Sequence, residues 1–194
     1  TEGIEKLTDG RLICGRCKKT AINSEDDAKP VLHSVANVLS NKGIKINPNN
    51  IVLKIVDNKQ SLIKLHGGDY KHLGGYHRGL GLGVNGRRSG IYILGGYSKR
   101  VFEGILAHEL MHAWIYQHTR ITHESMLEEG AAEYAHLLVI SEYKDEYFKV
   151  LEKRIRKRSK KGKNKPYSVG FKKVEEYIKL RKLGGLLEYL EKNT

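Results

Sequence analysis

The stretch A-H-E-L-M-H-A-W at 107–114 decides how this chain is read. On an α-helix residues i and i+4 share one face a turn apart, so His108 and His112 converge on one point and can grip a single metal ion. Glu109 sits beside that point. There its carboxylate can take a proton from a metal-bound water that attacks a carbonyl, then pass a proton to the leaving amine. The helix itself is read from Val101, Phe102, Ile105, Leu106, Met111 and Ile115, an apolar stripe at helical spacing with Ser98 as N-cap and an end near His118. Met111 and Trp114 belong to the core in this reading. A chance H-E-x-x-H arises in about 0.03 of shuffled chains of this composition, which argues that the motif has a use.

A catalytic zinc needs a third protein ligand and an open position. The segment M-L-E-E-G-A-A-E-Y at 126–134 offers one, on a second helix expected from Ser125, as its cap, through Ile140. Glu129 falls in the second turn and is assigned as third ligand, with Glu128 as rival. Glu133 lies four residues on and is assigned to hold the free N–H of a ligand histidine. Gly130, Ala131 and Ala132 are expected to let the two helices approach closely. The competing reading is a solvated acidic helix start favoured by the macrodipole.

Outward from this pair the chain is less explicit. A helix is expected at Pro30, taken as a first-turn residue, running to Asn41 or Gly43 through Val31, Leu32, Val35, Val38 and Leu39. Ile51 to Leu65 reads as a β-hairpin turning at Asn58 and Lys59. Residues 67–96 hold 11 of the 21 glycines and read as strands and turns. His66, His72 and His77 could line a cleft there but read more simply as loop residues, and G-L-G-V-N-G at 81–86 lacks the strand-turn-helix context of a phosphate site. Ile91 to Leu94 is expected as a strand, and as the sheet edge on which a peptide could dock. Phe171 to Leu190 reads as one or two closing helices broken at Gly184 and Gly185.

Length and composition narrow the function classes. The chain's 194 residues, 39% of them hydrophobic, suffice for one well-cored domain. No apolar run approaches the roughly 18 residues of a membrane span and the N-terminus lacks a signal-like pattern, so a cytoplasmic protein without membrane partners is expected. The net charge of +13 raises nucleic acid as a partner. Nine of those charges, however, lie between Lys153 and Lys165 with no acid among them, which reads as a solvated, mobile loop able to dock an acidic protein partner and makes nucleic acid unlikely. Cys14 and Cys17, spaced C-x-x-C, favour metal or redox chemistry over a structural bridge. A deaminase is disfavoured because its cysteine pair follows its H-x-E, whereas here the pair precedes the histidines.

H-E-x-x-H followed by a helix carrying E-G-x-x-E resembles the gluzincin metallopeptidases, a group that includes thermolysin and the zinc aminopeptidases. The stretches D-G-R-L-I-C-G-R-C (9–17), I-Y-I-L-G-G (91–96), I-L-A-H-E-L-M-H-A-W (105–114), L-E-E-G (127–130) and Y-S-V-G-F (167–171) are more narrowly similar to the LIM-domain-associated, ubiquitin-activated latent peptidases. The resemblance implies an α+β fold with a small antiparallel sheet packed on the active-site helix and a helical C-terminal half. It implies a catalytic Zn2+ on His108 and His112, Glu109 as the catalytic carboxylate, endopeptidase action on protein or peptide substrates, and ubiquitin as a partner. Under it, residues 1–25 are the remnant of a LIM-like zinc knuckle, Cys14 and Cys17 are half of a second zinc site, and 26–194 form the peptidase domain. Gluzincins also add a Tyr or His that donates to the oxyanion. Tyr167 is the choice here, with Tyr92, Tyr134 and His136 as rivals. The alternative function is a basic nucleic-acid- or protein-binding module whose metal is structural.

Overall fold

The computed structural model describes all residues except 1–2, 68–73, 84–85, 120–122, 162–164 and 193–194, together with the side chains of 158–166 and 168. The chain is a mixed α+β protein. Its elements run β1 (Ile4–Lys6), β2 (Leu12–Cys14), α1 (Gly15–Lys18), β3 (Ala21–Ile22), α2 (Glu25–Asn41), β4 (Ile51–Val56), α3 (Lys59–His66), β5 (Gly75–Gly83), β6 (Gly86–Leu94), β7 (Tyr97–Ser98), α4 (Lys99–His118), α5 (Ser125–Ser141), α6 (Glu146–Lys161) and α7 (Lys165–Lys192). No helix among the described residues is long and apolar enough to cross a membrane.

α4 is the centre of the packing. Phe102, Leu106, Ala107, Leu110, Met111, Ala113, Trp114 and Ile115 are all buried, so the helix is apolar on several faces and must be covered on each. α2, the sheet and α5 supply that cover in one continuous core, to which Val35 and Leu39, Ile91 and Ile93, and Ala132 and Ala135 contribute. Ser98 stands at the N-cap of α4 as expected, although its side chain makes no capping bond.

The sheet runs in the order β4-β6-β5. β5 and β6 are antiparallel, but β4 pairs with β6 in parallel, Ile51 opposite Ser89. The expected antiparallel sheet is therefore mixed, and Ile91–Leu94 lies on its central strand. The edge is β5. A parallel partner requires a crossover, and α3 supplies the first part of it where the sequence suggested a hairpin. Asn58 starts that helix by accepting from the Ser61 N–H at 2.9 Å, and Gly67, left-handed at φ 77°, ends it. Leu62 on this helix is completely buried.

Other boundaries differ from expectation for local reasons. α2 begins five residues before Pro30, because Ser24 caps it by accepting from Asp27 N–H at 3.2 Å and three acidic residues fill the first turn. α5 begins at Ser125, with Glu124 at the cap position. The basic run forms no loop as far as Lys161: Ile155 is buried against Leu137 and Phe171, and Arg156 Nη1 lies 2.6 Å from Glu175 Oε1, which ties α6 to α7. α7 breaks at Lys182 (φ 58°), ahead of the glycine pair. Gly185 still serves the bend, since a Cβ there would lie 2.7 Å from that of Arg181.

Residues 3–25 are tied to the rest of the chain. β3 pairs with β7, and Arg11 donates to the Gly95 carbonyl at 2.7 Å while its guanidinium lies 4.6 Å from the Tyr97 ring centre.

Candidate metal centre

His108 and His112 project from α4 toward α5, where Glu129 meets them. The two Nε2 atoms are 3.3 Å apart, and Glu129 Oε2 lies 3.3 Å from His108 Nε2 and 3.7 Å from His112 Nε2. A tetrahedral zinc about 2.0–2.1 Å from such donors separates its ligand atoms by about 3.3–3.4 Å. The three separations thus suit a single small cation, and these residues form a group that can hold a metal ion. Glu129 Oε2 is buried with no hydrogen-bond partner among the described residues. In the metal-free protein the charged His108 ring, 3.3 Å away, offsets the cost of that burial as an ion pair, and a bound cation would do so in its place. Glu128 is used otherwise: its Oε1 accepts the His123 N–H at 3.1 Å, outside the helix start.

Glu133 Oε2 lies 3.6 Å from His108 Nδ1, so that His108 faces carboxylates on both ring nitrogens. Tyr167 stacks on the far side of His108, ring centres 6.0 Å apart and planes within 22°. Its rivals lie elsewhere. Tyr92 packs with Tyr76 beside α3, Tyr134 packs against Phe171, and His136 stands behind Glu133.

What brings Tyr167 to the site is a contact between backbones. A Cβ on Gly130 of α5 would collide with the Gly170 peptide group of α7, and one on Gly170 would collide with the Met126 carbonyl. Gly130 therefore opens α5 toward α7, whereas Ala131 and Ala132 are buried in the core that α4 shares. Tyr167 precedes Gly170 by one helical turn, so the crossing point fixes the ring's approach.

On the opposite side β5 lies along α4. A Cβ at Gly75 would sit 2.9 Å from Glu109 Oε1, and one at Gly79 would sit 2.5 Å from Cζ of Tyr116. Between them His77 stacks near His112, ring centres 6.4 Å apart, with Nε2 3.1 Å from the buried Ser89 hydroxyl. His77 is thus a strand residue and His66 the last residue of α3, neither a loop residue, while His72 falls outside the described residues. The role of β5 went unread in the sequence. Its signal is the alternation G-x-H-x-G at 75–79, in which every second residue faces the helix and two of the three lack a side chain.

The electrostatics follow from burying several charges together. Glu109 is 7% exposed. Burial raises its pKa above the usual carboxylate range, and His108 and His112 pull the other way without cancelling the effect. Burial also disfavours charge on Glu129, yet His108 and His112 hold it down to about 2. For His108 burial acts downward, but its contacts with Glu129 and Glu133 dominate and raise it to about 10. His77 is lowered to about 3 by burial and by the charge of His112.

Cys14 and Cys17 are free thiols in mutual contact, the first exposed and the second partly buried beside Ser98. Among the described residues they gather no third ligand. His33 stays exposed on α2.

No protein-family model matches this chain, and neither a curated protein nor a solved structure matches it. Function is therefore read from the site itself.

Proposed function

We propose that the protein is a zinc-dependent endopeptidase of gluzincin type, with His108, His112 and Glu129 as zinc ligands. The observation that carries this reading is the buried Glu129 Oε2, which lacks a hydrogen-bond partner among the described residues and faces two imidazole nitrogens. Zinc prefers this N,N,O donor set, and when bound it supplies Lewis acidity that acidifies water and polarises a carbonyl.

The remaining steps belong to the chain's own residues. Glu109, raised by burial, accepts the proton of the attacking water and delivers it to the leaving amine. Gly75 keeps the space around its carboxylate open. Tyr167, its ring centre 6.0 Å from that of His108, donates to the oxyanion of the tetrahedral intermediate. The substrate is a protein or peptide segment that adds as a further strand to the edge of β5. Ubiquitin remains the partner suggested by the narrower resemblance, and its test is cleavage with and without ubiquitin present.

Glu109→Gln separates this reading from a structural metal site. Zinc content should stay at one per chain while cleavage of an unfolded protein substrate falls below detection, and chelation should abolish wild-type cleavage. Full activity in the variant would overturn the proposal.

A further inference from the structure

Behind His108 stands a second imidazole that the chemistry above does not use. Glu133 Oε2 lies 3.6 Å from His108 Nδ1 and 3.8 Å from Nδ1 of His136, three residues further along α5. Glu133 is buried, so no water shell fixes its carboxylate. A glutamate side chain has three rotatable bonds, and one contact leaves it free to swing. Two imidazoles flank the same oxygen at ion-pair distance and restrict it from two sides.

His136 reaches that place because α4 is notched. A Cβ on Gly104 would lie 2.5 Å from Cδ2 of the His136 ring and closer still to Nε2. Gly104 stands inside a 20-residue helix, where glycine is disfavoured relative to alanine. It also stands one turn before His108, on the same face. The residue that looks costly in α4 is thus the one that admits His136.

We propose that His136 is a positioning residue: it pins Glu133 so that the carboxylate holds Nδ1–H of His108 and leaves Nε2 directed at Glu129 and His112, and Gly104 is present to make room for it. Histidine ligands owe their ring orientation and tautomer to the partner of the other nitrogen, and here that partner is itself held. The inference rests on the metal site proposed above.

The test measures zinc affinity by chelator competition and the visible spectrum of the Co2+-substituted protein, neither of which needs turnover. His136→Ala is expected to weaken zinc about 10-fold, toward the lower end for residues that orient ligands, and to shift the cobalt bands. His136→Asn, whose amide N–H stands where Nδ1 does, should restore most of the affinity. His136→Gln fills similar volume but places its amide one bond too far, so it should behave as alanine does and serves as a folded control. Gly104→Ala should reproduce the loss while leaving His108, Glu133 and His136 in the sequence. Wild-type affinity and spectrum in the glutamine and Gly104→Ala variants would overturn the role of His136. A wild-type chain that binds no zinc would overturn the metal site as well.

Discussion

His108 with His112 on α4, and Cys14 with Cys17 at the start of α1, each bring two metal-ligating side chains together within about one turn of backbone. The histidine pair is met by Glu129 from another helix, backed by Glu133, and enclosed by β5 and α7. The cysteine pair has no third ligand among the described residues, and its flanking hairpin leaves Ile4 74% and Leu12 69% exposed. Spacing alone supplies two candidate ligands in either case. The third comes from packing between distant segments, and a buried site exists only where that packing encloses it.

The sharpest way to break the contrast is to remove one ligand from each place. His112→Ala is expected to abolish stoichiometric zinc, with affinity falling more than about 100-fold, beyond what loss of an orienting partner costs. Cys14→Ser should leave zinc per chain unchanged and stability within about 0.5 kcal/mol. Metal analysis with chemical denaturation checks both, and a second zinc lost with Cys14 would erase the difference. Next in size is the enclosure itself. Gly170→Ala drives a methyl group into the Met126 carbonyl and is expected to cost about 3 kcal/mol of stability, the upper range for overpacking, read from denaturant midpoints.

The smallest effect is electrostatic. With its pKa raised to about 10, His108 carries a proton at pH 7 in the metal-free protein, and a cation on Nε2 must displace it. Calorimetry in buffers of different ionisation enthalpy should find about one proton released per zinc, and zinc affinity should fall as pH is lowered. In chelator-treated protein the His108 contribution to stability is complete below its ordinary 6.5 and lost as pH rises through about 10. That of Glu129 is complete above its ordinary 4.5 and lost as pH falls through about 2. Thermal midpoints of the metal-free protein across that span check both signs.

Much of the centre was legible because helical geometry is local. The spacing of His108 and His112 fixes their common face whatever surrounds them, and α4 ends at His118 as its apolar stripe indicates. Glu129 could be proposed from its turn on α5, but choosing it over Glu128 needed the position of His123. The sheet was harder. Residues 51–65 are equally apolar as a hairpin or as a strand and helix, and only the Asn58 cap and the parallel pairing of β4 with β6 decide between them. The basic run misled for a related reason: Ile155 continues the apolar face that Phe148 and Leu151 begin, and that face docks a helix whose later residues are otherwise nearly all charged.

The crossing of Gly130 and Gly170 has a consequence for how the protein tolerates change. Side chains that touch can repack around a substitution, but two peptide groups in contact have nothing to rearrange. In a saturation library scored for the proposed cleavage, these two positions should therefore be as intolerant as the proposed zinc ligands although they carry no chemistry. A survey by mutational sensitivity alone would draw the functional site larger than it is, extending it along the seam between α5 and α7.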